Sequence, residues 1–245
     1  MNYDVVFIFG IGRCGSGFTS TIFSLNDMIL SYGGPGFGWM RDSNASVFTM
    51  TDIKKHWESH PEREFEHNIN KKPGYDKYYT YLKEKPKYDG IPCVWDNRGE
   101  FHYKSILERI TGKHLIIYCA RPIIDHCRSF KRFFGEQAGG DYFLGHLQKS
   151  LESVNYIKND SKARLVVVDM CRGGVDKKIA VFERLHDMIG IKMNAMQYAF
   201  LNDGRKIGAT NPKKETYSDE KIMCELKYNT NPVVSHYDNL LKEAL

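Results

Sequence analysis

The sequence predicts an α/β fold built on a doubly wound parallel sheet. Short apolar runs such as Val5 to Phe9, Leu115 to Ala120 and Leu165 to Val168 read as strands buried on both faces. Between them lie longer stretches with apolar residues at helical spacing, so strands and helices alternate, as parallel pairing requires. The first strand passes into the first helix through Gly10-Ile11-Gly12-Arg13-Cys14-Gly15-Ser16-Gly17, a turn dense enough in glycine to reverse the chain tightly.

In chain order, Val5-Val6-Phe7-Ile8-Phe9 is β-branched or aromatic throughout and suits a buried strand. The turn then delivers the chain to a helix over Thr19 to Leu25. Met28 to Tyr32 is a shorter strand that runs into Gly33-Gly34-Pro35-Gly36-Phe37-Gly38-Trp39, a loop placed where α/β proteins bind ligands. A charged and aromatic insertion of about 36–90 follows, with helices expected near Thr51 to Ser59 and Tyr75 to Lys83. Its tyrosines Tyr75, Tyr78, Tyr79 and Tyr81 either pack a peripheral helical layer or wall an acceptor site. Ile91 to Asp96 is the third strand, and a helix from Phe101 or His102 to Ile110 would put Ile106, Leu107 and Ile110 on one face. His114 to Ala120 ends at Arg121-Pro122. The helix after it carries Asp125, His126, Arg128, Ser129, Lys131 and Arg132. A helix over Tyr142 to Lys158, a fully buried strand over Ala163 to Asp169 and a helix over Val175 to Ile189 follow, the last closed by Gly190. From Lys192 a polar loop leads to helices near Ser218 to Tyr228 and Val233 to Leu245. No repeat or low-complexity linker divides residues 1–245, so one domain is expected.

Composition narrows the class. A chain of 245 residues, 42% hydrophobic and 27% charged, can bury a sizeable core and is not of disordered type. A net charge of +5 matches a polyanionic ligand, and no lysine and arginine run is dense enough to suggest a nucleic-acid partner. No apolar run approaches the roughly 20 residues a membrane span needs, so a cytoplasmic chain with no membrane partner is expected. Cys14, Cys93, Cys119, Cys127, Cys171 and Cys224 are scattered without a C-x-x-C pair and read as buried reduced thiols. No His and Cys cluster has ligand spacing, so no metal is expected.

The turn after the first strand is an anion cradle in kind: successive backbone N–H groups and the positive end of a helix dipole can hold a phosphate. A Walker nucleotidase would carry G-x-x-x-x-G-K-[ST]; Gly10 and Gly15 have that separation, but Ser16 stands where the lysine belongs. Gly10, Gly12 and Gly15 satisfy G-x-G-x-x-G literally, yet the second strand runs into Gly33-Gly34-Pro35 rather than the ribose-binding acid of a dinucleotide site. A third pattern places a basic residue inside the turn, and Arg13-Cys14-Gly15-Ser16-Gly17 fits it.

These residues resemble the first loop of the sulfotransferases that use 3′-phosphoadenosine 5′-phosphosulfate, with Cys14 in place of the usual serine and Gly17 in place of the second threonine. The loop with arginine is closer to the carbohydrate and tyrosyl-protein type than to the cytosolic type with lysine. Arg121 followed eight positions later by Ser129 is similar to the family's pair on the 3′-phosphate, a forked cation at a strand tip and a hydroxyl about two helical turns on. Asp96-Asn97-Arg98 resembles a further element beside the transferring group, with Glu100 where a proline stands in the family. Val166-Val167-Val168-Asp169-Met170 and Arg205-Lys206-Ile207-Gly208 match family elements more loosely.

The resemblance implies a P-loop NTPase-like fold, 3′-phosphoadenosine 5′-phosphosulfate as co-substrate without a metal, and sulfuryl transfer to a hydroxyl or amine of a small-molecule or carbohydrate acceptor. It implies that Arg13, Cys14, Gly15, Ser16, Gly17 and Phe18 hold the 5′-phosphate, Arg121 and Ser129 the 3′-phosphate, and Arg98 the sulfuryl oxygens. Arg13 would stabilise the leaving oxygen. For the general base the candidates are His102, Glu100, Asp96, His56, Glu58 and His60, with His102 preferred because it begins a helix after a strand tip. A small-molecule or nucleoside kinase and a non-catalytic nucleotide-binding module stay open beside this reading.

Overall fold

The computed structural model describes residues 3–32, 47–49, 51–53, 55, 74–84, 90–96, 106, 108–203 and 217–245. Five strands, β1 (Val5–Phe9), β2 (Ile29–Tyr32), β3 (Ile91–Asp96), β4 (His114–Ala120) and β5 (Ala163–Asp169), form one sheet in the order β2-β3-β1-β4-β5. Every pairing is parallel. The helices are α1 (Ser16–Ser24), α2 (Asp76–Glu84), α3 (Ile123–Phe134), α4 (Gly140–Lys158), α5 (Val175–Ile189), α6 (Ala195–Asn202), α7 (Asp219–Glu225) and α8 (Pro232–Lys242).

Strand alternation divides the core between the two faces of the sheet. Phe7, Phe9, Ile116 and Tyr118 point to the layer of α3, α4, α7 and α8, where Phe130, Phe143, Leu147 and Tyr237 meet them. Val6, Ile8, Ile117 and Val168 point the other way, onto Phe23 of α1, Tyr78 of α2, Phe182 of α5 and Phe200 of α6. All five residues of β1 and all seven of β4 are buried. These two strands are covered on both faces and flanked on both edges, which is why each reads as an unbroken apolar run.

The structure revises five expectations. Helix α1 begins at Ser16 rather than Thr19, so the turn is shorter and ends on the helix itself. Strand β5 is buried only from Val166 on, because it is the sheet edge and its first three residues lie at the rim. Ile110 sits in a bridge to Phe48, outside a helix, although it and Ile106 are buried as expected. Helix α6 occupies part of the stretch read as polar loop. Of the insertion, residues 51–53 and 55 are helical and Asp76–Glu84 forms α2; the remainder of the expected helix to Ser59 lies outside the described residues. Tyr75 and Tyr78 pack in the core against Phe200, which decides for packing over an acceptor wall at those two positions. Cys14, Cys93, Cys119 and Cys127 are buried free thiols, whereas Cys171 and Cys224 are exposed because they lie in the turn after β5 and on the outer side of α7. Among the described residues no helix is long and apolar enough to cross a membrane.

Adjacent strands β1 and β4 send their following helices, α1 and α3, to opposite faces of the sheet. A crevice therefore opens beyond their carboxyl ends, the place where doubly wound sheets bind ligands.

Candidate functional site

The crevice is floored by the glycine turn. Gly10 has no room for a side chain, since a Cβ there would stand 2.5 Å from the Cys119 carbonyl oxygen of β4 and 2.6 Å from Cys14 Sγ. The chain thus leaves β1 pressed against its neighbour. Arg13 (φ 75°) and Gly15 (φ 102°) are left-handed, whereas Gly12, Cys14 and Ser16 are not. Alternation of this kind turns consecutive N–H groups toward one side and forms a concave nest for an anion. The first bond into α1 runs from Thr19 N–H to Gly15 O at 3.0 Å, which leaves the N–H groups of Ser16, Gly17 and Phe18 at the open helix end. No side chain caps that end and no acid stands in its first turn. No carboxylate of the helix's own first turn offsets its dipole there.

Two cations converge on the nest. Arg121, at the tip of β4, reaches across so that Nη1 donates to the Arg13 carbonyl at 3.4 Å. Burial, and after it the like charge of Arg121, pull the Arg13 guanidinium below its ordinary pKa. The Arg13 guanidinium lies over the Phe133 ring of α3, 4.8 Å from its centroid, a contact that stabilises a partly desolvated cation. Arg121 Nε is buried and meets no acceptor among the described residues. A buried, unaccepted donor beside a second cation is a demand for a bound anion.

Three groups hold this arrangement. His126 on α3 is fully buried and its Nε2 lies 2.9 Å from the Gly12 carbonyl, fixing the middle of the turn. Burial lowers its pKa to about 4, so at neutral pH it is uncharged and donates from Nε2. The Tyr237 hydroxyl of α8 accepts from Arg121 N–H at 3.0 Å and donates to Arg121 O at 3.0 Å, clamping the peptide unit at the strand tip. Asp169, buried at the end of β5, accepts from the Cys171 and Arg172 N–H groups at 2.9 and 3.3 Å and sets the neighbouring turn. From there the Cys171 thiol reaches Cys14 O at 3.9 Å. Beneath the turn, burial pushes the Cys119 thiol well up, as does its hydrogen bond with Cys14. The Cys119 thiol is thereby unsuited to act as a nucleophile.

Of the residues expected from sequence, the structure brings together Arg13, Cys14, Gly15, Ser16, Gly17, Phe18 and Arg121. Phe18 turns its ring away from the crevice, against Phe182 and Phe200, so only its backbone belongs to the nest. Ser129 is half-buried on α3, one turn from both His126 and Phe133, and makes no hydrogen bond to either arginine. Arg98, His102, Glu100, His56, Glu58, His60 and the Asp96 side chain lie outside the described residues, as do the 33–39 loop and Arg205-Lys206-Ile207-Gly208. His126, Phe133 and Tyr237 were not anticipated at the site. His126 and Phe133 lie seven apart, with Phe130 between them at helical spacing, so the face they share was visible in the sequence; nothing local points Tyr237 at Arg121.

No family model and no curated protein matches the chain. Its fold is similar to that of two solved structures. One is the sulfotransferase domain of the olefin synthase of Synechococcus PCC 7002, at a TM-score of 0.51 and 11% identity over 97% of this chain and 94% of that one. The other is the sulfotransferase STF9 of Mycobacterium avium, at 0.51 and 10% identity over 100% of this chain and 79% of that one. At such identities the likeness establishes the fold.

Proposed function

We propose that this chain is a sulfotransferase that takes its sulfuryl group from 3′-phosphoadenosine 5′-phosphosulfate and passes it to a hydroxyl or amine of a small-molecule or carbohydrate acceptor. The observation that carries the reading is the convergence of Arg121 on Arg13 over an uncapped helix N-terminus. The fold it shares with two sulfotransferases supports it. A Walker lysine is absent from the turn, where Ser16 stands instead, and this favours a donor that needs no lysine and metal bridge over a nucleoside triphosphate.

The residues present fit the donor, whose contribution is an activated sulfuryl group on a good leaving phosphate. In this proposal the N–H groups of Gly15, Ser16, Gly17 and Phe18 bind the 5′-phosphate, and Arg13 neutralises charge growing on the leaving oxygen. Arg121 and Ser129 hold the 3′-phosphate. Arg98 supports the sulfuryl oxygens and His102 takes the acceptor's proton. The acceptor atom forms its bond to sulfur as the bond from sulfur to the 5′-phosphate oxygen breaks, and adenosine 3′,5′-bisphosphate leaves. Such a transfer needs positioning and charge stabilisation more than covalent chemistry.

Calorimetric titration with adenosine 3′,5′-bisphosphate, and separately with ATP and magnesium, tests the reading. Wild type should bind the bisphosphate in preference, and Arg121→Ala should weaken it by roughly 10- to 100-fold, the worth of a charged hydrogen bond. Preference for ATP with magnesium would favour a kinase, and an unchanged affinity in Arg121→Ala would remove the assigned 3′-phosphate site.

A further inference from the structure

The outer edge of β5 carries a second site, on the far side of the molecule's sheet from β2. His114 N–H bonds the Lys162 carbonyl at 2.9 Å, so residues of even number in β5 direct their backbone groups to β4 and those of odd number direct theirs outward. The Leu245 N–H, bonded to Val167 O at 3.0 Å, confirms that parity from the outer side. Leu165 N–H and C=O and Val167 N–H are then left without a hydrogen-bond partner among the described residues. They line a cavity of about 370 Å³ with α5 on one side, through Arg184 and Met188, and Lys158 of α4 on the other. Lys158 is neutralised by Glu243 at 2.8 Å. Arg164 and Arg184 are exposed and form no ion pair among the described residues.

We propose that this edge binds an extended acidic peptide segment of a partner protein by strand addition. The unpaired backbone groups supply the ladder, as at other exposed sheet edges that capture peptides. Leu245 already makes one such rung with Val167, so the edge accepts a chain between the flanking helices. The two arginines, on the α5 side, select carboxylates, and the half-buried Leu165, on the opposite face of the sheet, receives the alternate apolar side chains. The reach from Ala163 to Val167 is about 13 Å of strand, enough for four or five residues of partner.

Fluorescence anisotropy with a labelled, blocked Glu-Val-Glu-Val-Glu-Val peptide tests this on the full chain. Saturable binding is expected, with none for the Lys-Val counterpart or for a Glu-Pro peptide of equal charge. Leu165→Pro removes one outward N–H without touching the β4 ladder, a placement an edge strand tolerates, and should weaken binding about fivefold, one hydrogen bond's worth. Arg164→Glu with Arg184→Glu, both exposed, should abolish it in a chain whose circular dichroism melt is unchanged. Failure to bind, equal binding of the Glu-Pro peptide, or unchanged binding in the charge-reversed chain would each overturn the proposal. So would sedimentation showing a dimer that Leu165→Pro disrupts, which would make a second copy the occupant. None of these outcomes depends on the nucleotide site.

Discussion

At the scale of single residues, the candidate site is held by groups buried beneath it. Gly10 sets the approach of the turn to β4, and Gly10→Ala would push a methyl group against the Cys119 carbonyl. That overpacking should cost about 1 to 3 kcal/mol, read as a lower urea midpoint, and should weaken anion binding along with it. Buried His126 and His186 make stability depend on pH. Burial lowers both from 6.5 to about 4 in the folded chain. Below 6.5 the unfolded chain takes up protons that the folded chain refuses, so stability is full above that value and is lost as pH falls toward 4, by at most roughly 3 kcal/mol per group. Urea unfolding at pH 7.5 and 5.0 should show the drop, and His186→Gln should reduce it; a flat profile would mean that these rings are protonated in the fold. His186 has a structural reason to stay neutral, because its Nε2 accepts from Gln197 Nε2 at 2.8 Å while Nδ1 donates to Phe182 O at 2.7 Å.

At the scale of elements, α6 is a short, mostly apolar helix in a stretch expected to be loop. Asn194 caps it, accepting from Gln197 N–H, while the Gln197 side chain returns to Asn194 N–H, a complete capping box. The stretch Asn194-Ala195-Met196-Gln197 has the spacing of such a box, although the reading from sequence placed it in a loop. What was not legible is the second use of Gln197, whose Nε2 also donates to Ile22 O at 2.7 Å and whose Oε1 accepts from Asn26 at 2.9 Å, tying α6 to the end of α1. Gln197→Ala should therefore cost more than a cap, about 2 to 4 kcal/mol, because buried partners lose their bonds. A loss below 1 kcal/mol in urea titration would contradict that role. On the other face, α7 docks on α3 through Lys131, nearly fully buried, whose ammonium lies 2.6 and 2.7 Å from the Glu225 oxygens and 4.4 Å from the Tyr217 ring centroid. Arg128 adds ion pairs to Asp125 and Asp219. Glu225→Gln strands a buried cation and should destabilise by about 3 kcal/mol, whereas a change at the exposed Lys221 and Glu136 pair should leave the urea midpoint nearly unmoved. Double-mutant cycles on the two pairs would separate them.

At the scale of the whole molecule, fold and site differ in how much of each the sequence exposes. Strands β1, β3, β4 and β5 match the expected spans residue for residue, and β1 and β4, buried on both faces, read most plainly because nearly every position in them is apolar. The glycine turn was equally plain, since its conformation leaves few residue types acceptable. Contacts across the crevice were not: Arg121 meets Arg13, and Tyr237 meets Arg121, only because the strand order brings β1 beside β4 and folds α8 over the tip of β4. Spacing along a chain carries no record of such meetings. The same topology leaves β5 at an edge, and that is why its first residues are half-exposed where a continuous run suggested full burial.

The proposed sulfuryl transfer requires the turn at the end of β1 to be the phosphate site. Amide NMR of the ¹⁵N-labelled chain titrated with adenosine 3′,5′-bisphosphate measures that directly. The Gly15, Ser16, Gly17 and Phe18 amides should shift together with saturation, and the Arg121 Nε–H signal should sharpen as it gains an acceptor. Shifts clustered elsewhere, with these four amides unmoved, would contradict it.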